Sequence, residues 1–327
     1  MWAFYPPVIL WILLLSIRYC GIRQLTASNP SMKTGGLIDS DKAKNLLEIQ
    51  SKLPNAVAKT KLVPAPTESV DRAAILTDAM EELGLRYPII LKPNSGQRGL
   101  GVAVIKDRNE ATAYLDRNGR EILIQEYVEG AEFGVFYMRE PSKPNGFIFS
   151  ITHKQFPQLV GDGTSTLEQL ILEDDRALYM ARFLLERHSD QLSRVMKIGE
   201  RLTLVEIGSH SRGSLFVDGS AYLTPELQNR IDEISKTIPE YYFGRYDLRV
   251  PSIDHLMRGE ELKIIEANGL TSESTNIYDP KNSLLFAYKT LFRQWNMAFK
   301  ISRQNYRNGA KITSYRELLS TLQTMNR

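Results

Sequence analysis

Cysteine is almost absent: Cys20 stands alone in 327 residues, which excludes an intramolecular disulfide and a cysteine-based zinc centre. Four scattered histidines leave little for a histidine metal site. Charge of one sign is lacking as well. Against 41 Lys and Arg stand 38 Asp and Glu, a formal net charge of only +3, and the basic residues form no run interleaved with aromatics, so nothing points to nucleic acid. There is no internal repeat, no low-complexity segment, and no apolar run of the about 20 residues that a bilayer-spanning helix needs. What remains is an ordinary globular composition, 43% hydrophobic and 24% charged, long enough for two or three packed lobes.

The longest apolar stretch lies at the start. Phe4-Tyr5-Pro6-Pro7 leads into an apolar run over 8–17, followed by Arg18 and Arg23. It shows neither the basic first segment nor the small-residue cleavage site of a signal peptide. Leading aromatics and trailing arginines suit a helix lying in the cytoplasmic leaflet through residues 4–23. A core helix of the first lobe is the alternative. From 26 to about 66 the chain reads as loops around one short helix capped by Ser40 or Asp41. A helix is expected over 69–83, stopped by Gly84.

Two acidic strands carry the chemistry. In Leu262-Lys263-Ile264-Ile265-Glu266-Ala267-Asn268, strand alternation puts Glu266 and Asn268 on one face, and Asp247 of Gly244-Arg245-Tyr246-Asp247-Leu248-Arg249 can join them from a neighbouring strand. Such oxygen ligands suit Mg²⁺, which needs only one or two carboxylates and takes its remaining oxygens from water and substrate phosphates. A nucleoside triphosphate is the expected ligand. Arg249 shares strand parity with Asp247 and either faces the same cavity or positions Asp247 through an ion pair.

A strand over 87–93 runs into the glycine-rich tip Asn94-Ser95-Gly96-Gln97-Arg98-Gly99-Leu100-Gly101 and returns over 102–105. Glycines let backbone N–H groups turn toward a polyphosphate, and Lys92, expected to be solvated without ligand, adds a positive charge. No helix opens directly after the glycines, which argues against a Rossmann or P-loop site. After a helix near 109–118, the stretch Gln125-Glu126-Tyr127-Val128 passes from a strand into a turn that can offer backbone groups to an adenine edge. Glu132, between a glycine turn and an apolar strand, needs a partner there. Lys154 ends a strand begun near Gly146 and is either a second phosphate-binding lysine or a solvated one. In Gly208-Ser209-His210-Ser211-Arg212-Gly213, Arg212 suits a carboxylate or acyl phosphate, while His210 is a proton-handling candidate or a hydrogen-bonded loop residue.

These blocks, in this order, resemble the ATP-grasp superfamily, with the D-alanine–D-alanine ligase-like carboxylate-amine ligases as the nearest branch over 85–291. The resemblance implies an α+β fold in which two α+β lobes hold ATP between them. It implies that Lys92 and the flap glycines Gly96, Gly99 and Gly101 bind phosphates, with Lys154 as a candidate beside them. Gln125, Glu126, Tyr127 and Val128 then border adenine, and Glu132 binds ribose. Asp247, Glu266 and Asn268 hold Mg²⁺ or Mn²⁺. Arg245, with Arg212 and Arg249 as further candidates, faces the reacting phosphoryl and acyl groups, and Ser274 touches substrate. The stretch over 157–171 is similar to one in cyanophycin synthetases and reads as structural, with Ser165 or Thr166 capping the helix that follows.

The expected organisation is an apolar helix over 1–24, a reduced region over 25–84 in place of a full pre-grasp domain, the grasp fold over 85–300, and a tail with a helix over 301–327. Within the grasp fold the nucleotide lobe covers about 85–140 and the magnesium and substrate lobe about 141–300. Thr275-Asn276-Ile277-Tyr278-Asp279-Pro280 departs from the dipeptide ligases and is similar to uncharacterised bacterial proteins with an N-terminal apolar helix. The activity implied is ATP-dependent joining of a small-molecule carboxylate to an amine, in the cytoplasm or at the inner face of its membrane. Phosphoryl transfer to a hydroxyl remains an alternative on the same fold, as does a non-catalytic scaffold.

Overall fold

A computed structural model describes residues 4–38, 42–67, 71–94, 100–205, 208 and 213–325. Helix α1 (Pro6–Arg18) starts on two prolines, whose fixed φ suits a first turn. Tight 3₁₀ turns over Ile22–Ala27 and Lys33–Gly36 follow, then α2 (Lys42–Lys52) and strand β1 (Thr60–Val63). This strand corrects the expectation of loops up to residue 66. Four residues are too few to show a period, and only pairing with a later strand makes them β.

The helix expected over 69–83 is α3 (Arg72–Leu83). The Asp71 carboxylate accepts the Ala74 N–H at its start, and Gly84 turns left-handed (φ 63°) at its end. Strands β2 (Ile89–Pro93) and β3 (Ala103–Ile105) form the expected antiparallel hairpin, α4 (Arg108–Arg117) follows, and β4 (Ile122–Glu126) completes a four-stranded sheet ordered β1-β4-β2-β3. Ile89, Leu91, Ile122 and Ile124 pack on one face against Leu76 and Ala79 of α3 and Ala111 and Leu115 of α4. Thr60, Lys92 and Gln125 therefore share the opposite face.

The second sheet is antiparallel, ordered β11-β10-β5-β6-β9. Its first strands are β5 (Ala131–Met138) and β6 (Phe147–Gln155). A small subdomain interrupts it: β7 (Gln158–Val160), helices α5 (Leu167–Glu173), α6 (Asp175–Leu178) and α7 (Ala181–Arg187), and β8 (Arg201–Thr203) enclose their own core around Leu159, Leu167, Ile171 and Leu184. Thr166 caps α5 in a capping box with Gln169, settling the choice between Ser165 and Thr166. The sheet resumes with β9 (Leu215–Asp218), α8 (Pro225–Thr237), β10 (Phe243–Val250), α9 (Ile253–Arg258) and β11 (Lys263–Asn268).

Alternation along β5 and β10 divides this sheet. Phe133, Val135, Tyr137, Tyr246, Leu248 and Val250 face a core built with α2, α8 and α9. On the other face, Phe136, Met138 and Phe243 lie under α10 (Leu284–Arg307) and α1, whereas Glu132, Arg245, Asp247 and Arg249 are left polar. The last helix, α11 (Tyr315–Met325), lies where a terminal helix was expected.

Helix α1 is packed into the fold. Val8 and Leu15 are buried against α10, and the Trp11 indole donates to the Phe292 carbonyl at 3.1 Å. Its other face stays apolar and open: Ile9, Leu10, Leu13, Leu14 and Ile17 are 49–78% exposed. No described helix is long and apolar enough to cross a membrane.

Candidate functional site

The polar faces of the two sheets meet in one charged layer. On the second sheet, Asp247 stands opposite Glu266 and Arg245 opposite Asn268 in the β10–β11 ladder, which brings the expected magnesium residues onto one face. Glu132 stands opposite Arg249 on one side and Lys154 on the other. Lys154 Nζ bridges Glu132 Oε1 at 3.0 Å and Asp247 Oδ2 at 3.1 Å and is buried, so the solvated alternative does not hold. Arg245 grips Asp247 with two bonds, at 2.9 and 3.2 Å, and donates a third to the Glu273 carbonyl at 3.1 Å.

Arg249 is on the expected face but, among the described residues, pairs with Glu132 (3.1 and 3.0 Å) and with the Val128 carbonyl (2.7 Å), tying the turn after β4 to β10; no ion pair with Asp247 is seen there. The Tyr127 ring lies 5.7 Å from its guanidinium carbon. The Glu126 carboxylate accepts the Lys59 N–H at 3.0 Å.

Lys92 is not solvated. It is buried and donates to Gln125 Oε1 at 2.9 Å and to the Ile265 carbonyl at 2.8 Å, crossing from the first sheet to the second. Its burial is produced by the meeting of the two sheets. Burial pushes its pKa down to about 8. Burial also opposes the charge of Asp247, but Arg245 and Lys154 outweigh it and hold that carboxyl below the usual carboxylate range.

One residue of this layer was not singled out in the sequence. Lys42, on α2, is buried, and its Nζ lies 2.8 Å from Glu266 Oε1. Burial opposes the charge of Glu266, and Lys42 is the first group that lowers its pKa against that cost. The segment before α2 is anchored close by. Asn29 donates to the Phe243 carbonyl at 2.8 Å and accepts the Tyr242 and Phe243 N–H groups, and a Cβ at Gly36 would collide with the Gly269 backbone.

The glycine-rich stretch over 94–101 and the stretch over 208–213 are only partly described. Gly96 and Gly99, and likewise His210 and Arg212, lie outside the described residues, so their roles stay expectations. Gly101 is described and takes a positive φ of 74°. Gly208 approaches the site so closely that a Cβ there would collide with the Glu132 carboxylate. Ser274 is fully buried. Its Oγ has no hydrogen-bond partner among the described residues.

This layer fits a nucleoside triphosphate with a divalent cation. Five cations, Lys42, Lys92, Lys154, Arg245 and Arg249, face three carboxylates, Glu132, Asp247 and Glu266, and the surplus suits a polyanion. Among the described residues no three His, Cys, Asp or Glu side chains group into a metal cage. Two opposed carboxylates with Asn268 instead match Mg²⁺ sharing its coordination with phosphate oxygens and water.

A family model described as a RimK-like ATP-grasp domain matches residues 40–136, beginning just before Lys42. The chain is 25% identical over 229 residues to a cyanophycin synthetase of Geminocystis herdmanii, an alignment covering 63% of this chain and 25% of that protein. It is 27% identical over 120 residues to a D-alanine–D-alanine ligase of Helicobacter pylori, covering 31% of this chain and 35% of that protein. Those alignments thus span a quarter to a third of the relatives' length. Among solved structures, the D-alanine–D-alanine ligase from Bacillus anthracis complexed with ATP aligns with a TM-score of 0.46 at 14% identity, over 82% of this chain and 68% of that one.

Proposed function

We propose that this chain, which belongs to the ATP-grasp superfamily, is an ATP-dependent ligase that joins a small-molecule carboxylate to an amine through an acyl phosphate, releasing ADP and phosphate. The observation that carries this reading is the cation-rich layer around two opposed carboxylates, Asp247 and Glu266, with Arg245 fixed among them.

In this reading Lys42, Lys92 and Lys154 receive the phosphates under the flap of Gly96, Gly99 and Gly101. Gln125, Glu126, Tyr127 and Val128 border the adenine, and Glu132, oriented by Lys154 and Arg249, receives the ribose. Mg²⁺ or Mn²⁺ held by Asp247, Glu266 and Asn268 would offset charge on the β- and γ-phosphate oxygens. Arg245 spends three of its five N–H groups on Asp247 and the Glu273 carbonyl. The other two remain for the oxygens of the transferring phosphoryl and the acyl group, where charge grows in both transition states. Arg212 and His210, which lie outside the described residues, and Ser274 are the further candidates for contact with substrate.

We also assign the open apolar face of α1, bordered by the exposed Arg18, to contact with an anionic lipid surface on the cytoplasmic side. The ligase reading is tested by screening carboxylate and amine pairs for ADP and phosphate release with Mg²⁺. Release that depends on both partners, without AMP, supports it. A product phosphorylated on a hydroxyl contradicts it.

A further inference from the structure

The loop after β11 brings to the edge of the site a carboxylate that the nucleotide chemistry does not use. Glu273 Oε2 accepts the Tyr278 hydroxyl at 2.5 Å. The Tyr5 hydroxyl lies 3.3 and 3.4 Å from the two carboxylate oxygens and 2.8 Å from that of Tyr278. The main chain of the same residue is tied to Arg245 through its carbonyl. Its side chain, in contrast, hydrogen-bonds only to phenols: among the described residues no Lys, Arg or His forms an ion pair with it, and the charge of Arg245 acts on it without outweighing burial. A largely buried carboxylate without a cationic partner is unfavourable, and burial accordingly pushes its pKa up. The group is thus built to gain by receiving a cation, and it stands one residue from the buried Ser274 hydroxyl, which has no hydrogen-bond partner among the described residues.

A ligase has a use for such a group. Simple amines are ammonium ions near neutral pH and must be docked beside the acyl group before they attack it. We propose that Glu273, with Tyr278 and Tyr5, forms the cation subsite that receives the ammonium group of the amine substrate. This rests on the ligase reading above. Tyr5 sits at the N-cap of α1, so the N-terminal helix would complete the acceptor side of the site.

The test uses propylammonium as probe and 1-propanol as its neutral counterpart, followed by saturation-transfer NMR on the full chain loaded with Mg²⁺ and a non-hydrolysable ATP analogue. Wild type should prefer propylammonium at least tenfold. Glu273→Gln, which keeps the side-chain volume, should erase that preference without weakening the nucleotide. Tyr278→Phe should reduce it less. A wild type that binds both probes equally overturns the subsite without need of any variant, as does a Glu273→Gln protein that folds and keeps the preference. If wild type prefers propylammonium while turnover places phosphate on a hydroxyl, the ligase reading falls and the cation subsite stands.

Discussion

Lys42→Met removes one charge from the layer while keeping most of the apolar stem, and its consequences divide cleanly between stability and nucleotide binding. The side chains of the Lys42–Glu266 pair are 8% and 27% exposed. Breaking a fully buried pair costs about 3–5 kcal/mol because the partner is left charged and unpaired. Glu266 keeps about a quarter of its side chain in contact with water, which offsets part of that cost, so a loss of about 1–3 kcal/mol is expected. The further change Glu266→Gln in the same chain should recover some of it, since no stranded charge then remains. For the nucleotide, a lost charge-assisted contact is worth about 1.5–3 kcal/mol, or about 10- to 150-fold in affinity. Urea unfolding reads the first quantity, and calorimetry with ATP and with adenosine reads the second. Adenosine, which has no phosphates, should bind equally to both proteins. ATP affinity unchanged by Lys42→Met would refute the placement of this lysine against the phosphates.

Two further predictions address Lys92 and the N-terminal helix. With the Lys92 pKa pushed down to about 8, the unfolded chain holds a proton that the folded chain lacks between there and the ordinary lysine value of 10.5. Its burial penalty is therefore relieved, and stability gained, as pH rises through that window. ATP, by restoring the charge, should draw in protons at about pH 8.5; calorimetry in two buffers of different ionisation enthalpy shows this, and equal heats would contradict it. On α1, Leu15→Ala should cost about 2–5 kcal/mol as a core truncation. Ile17→Asp, on the open face, should leave the melting temperature alone and abolish flotation with anionic vesicles; wild type that never floats removes the lipid assignment.

The sequence was most legible where chemistry and alternation are local. Strand parity alone put Glu266 and Asn268 on one face and left Asp247 able to join them from a neighbouring strand; the ladder sets Asp247 opposite Glu266 and Arg245 opposite Asn268. The hairpin over Lys92 was legible for the same reason. Properties created by distant segments were not. Lys42 lies beside Lys44 in a polar helix where surface lysines read alike, and only docking of α2 on β11 buries it against Glu266. Lys92 was expected to reach water, because the closure of one sheet over the other leaves no trace in its strand, and for Lys154 the choice between a phosphate-binding and a solvated lysine stayed open until its partners Glu132 and Asp247 were seen. Parity gave Arg249 the right face but not its partner: cross-strand register sets Glu132 directly opposite, closer than Asp247 two residues along the same strand. Strand β1 was missed because four residues show no period.

The most direct test of the central claim follows oxygen-18 from the substrate carboxylate, using the carboxylate and amine pair that supports ADP release. If the layer around Arg245, Asp247 and Glu266 makes an acyl phosphate, the carboxylate oxygen becomes the bridging oxygen and leaves with the phosphoryl group when the amine attacks. Mass spectrometry should then find one labelled oxygen in each phosphate released by labelled substrate. Label retained entirely in the organic product, with unlabelled phosphate, would contradict the account.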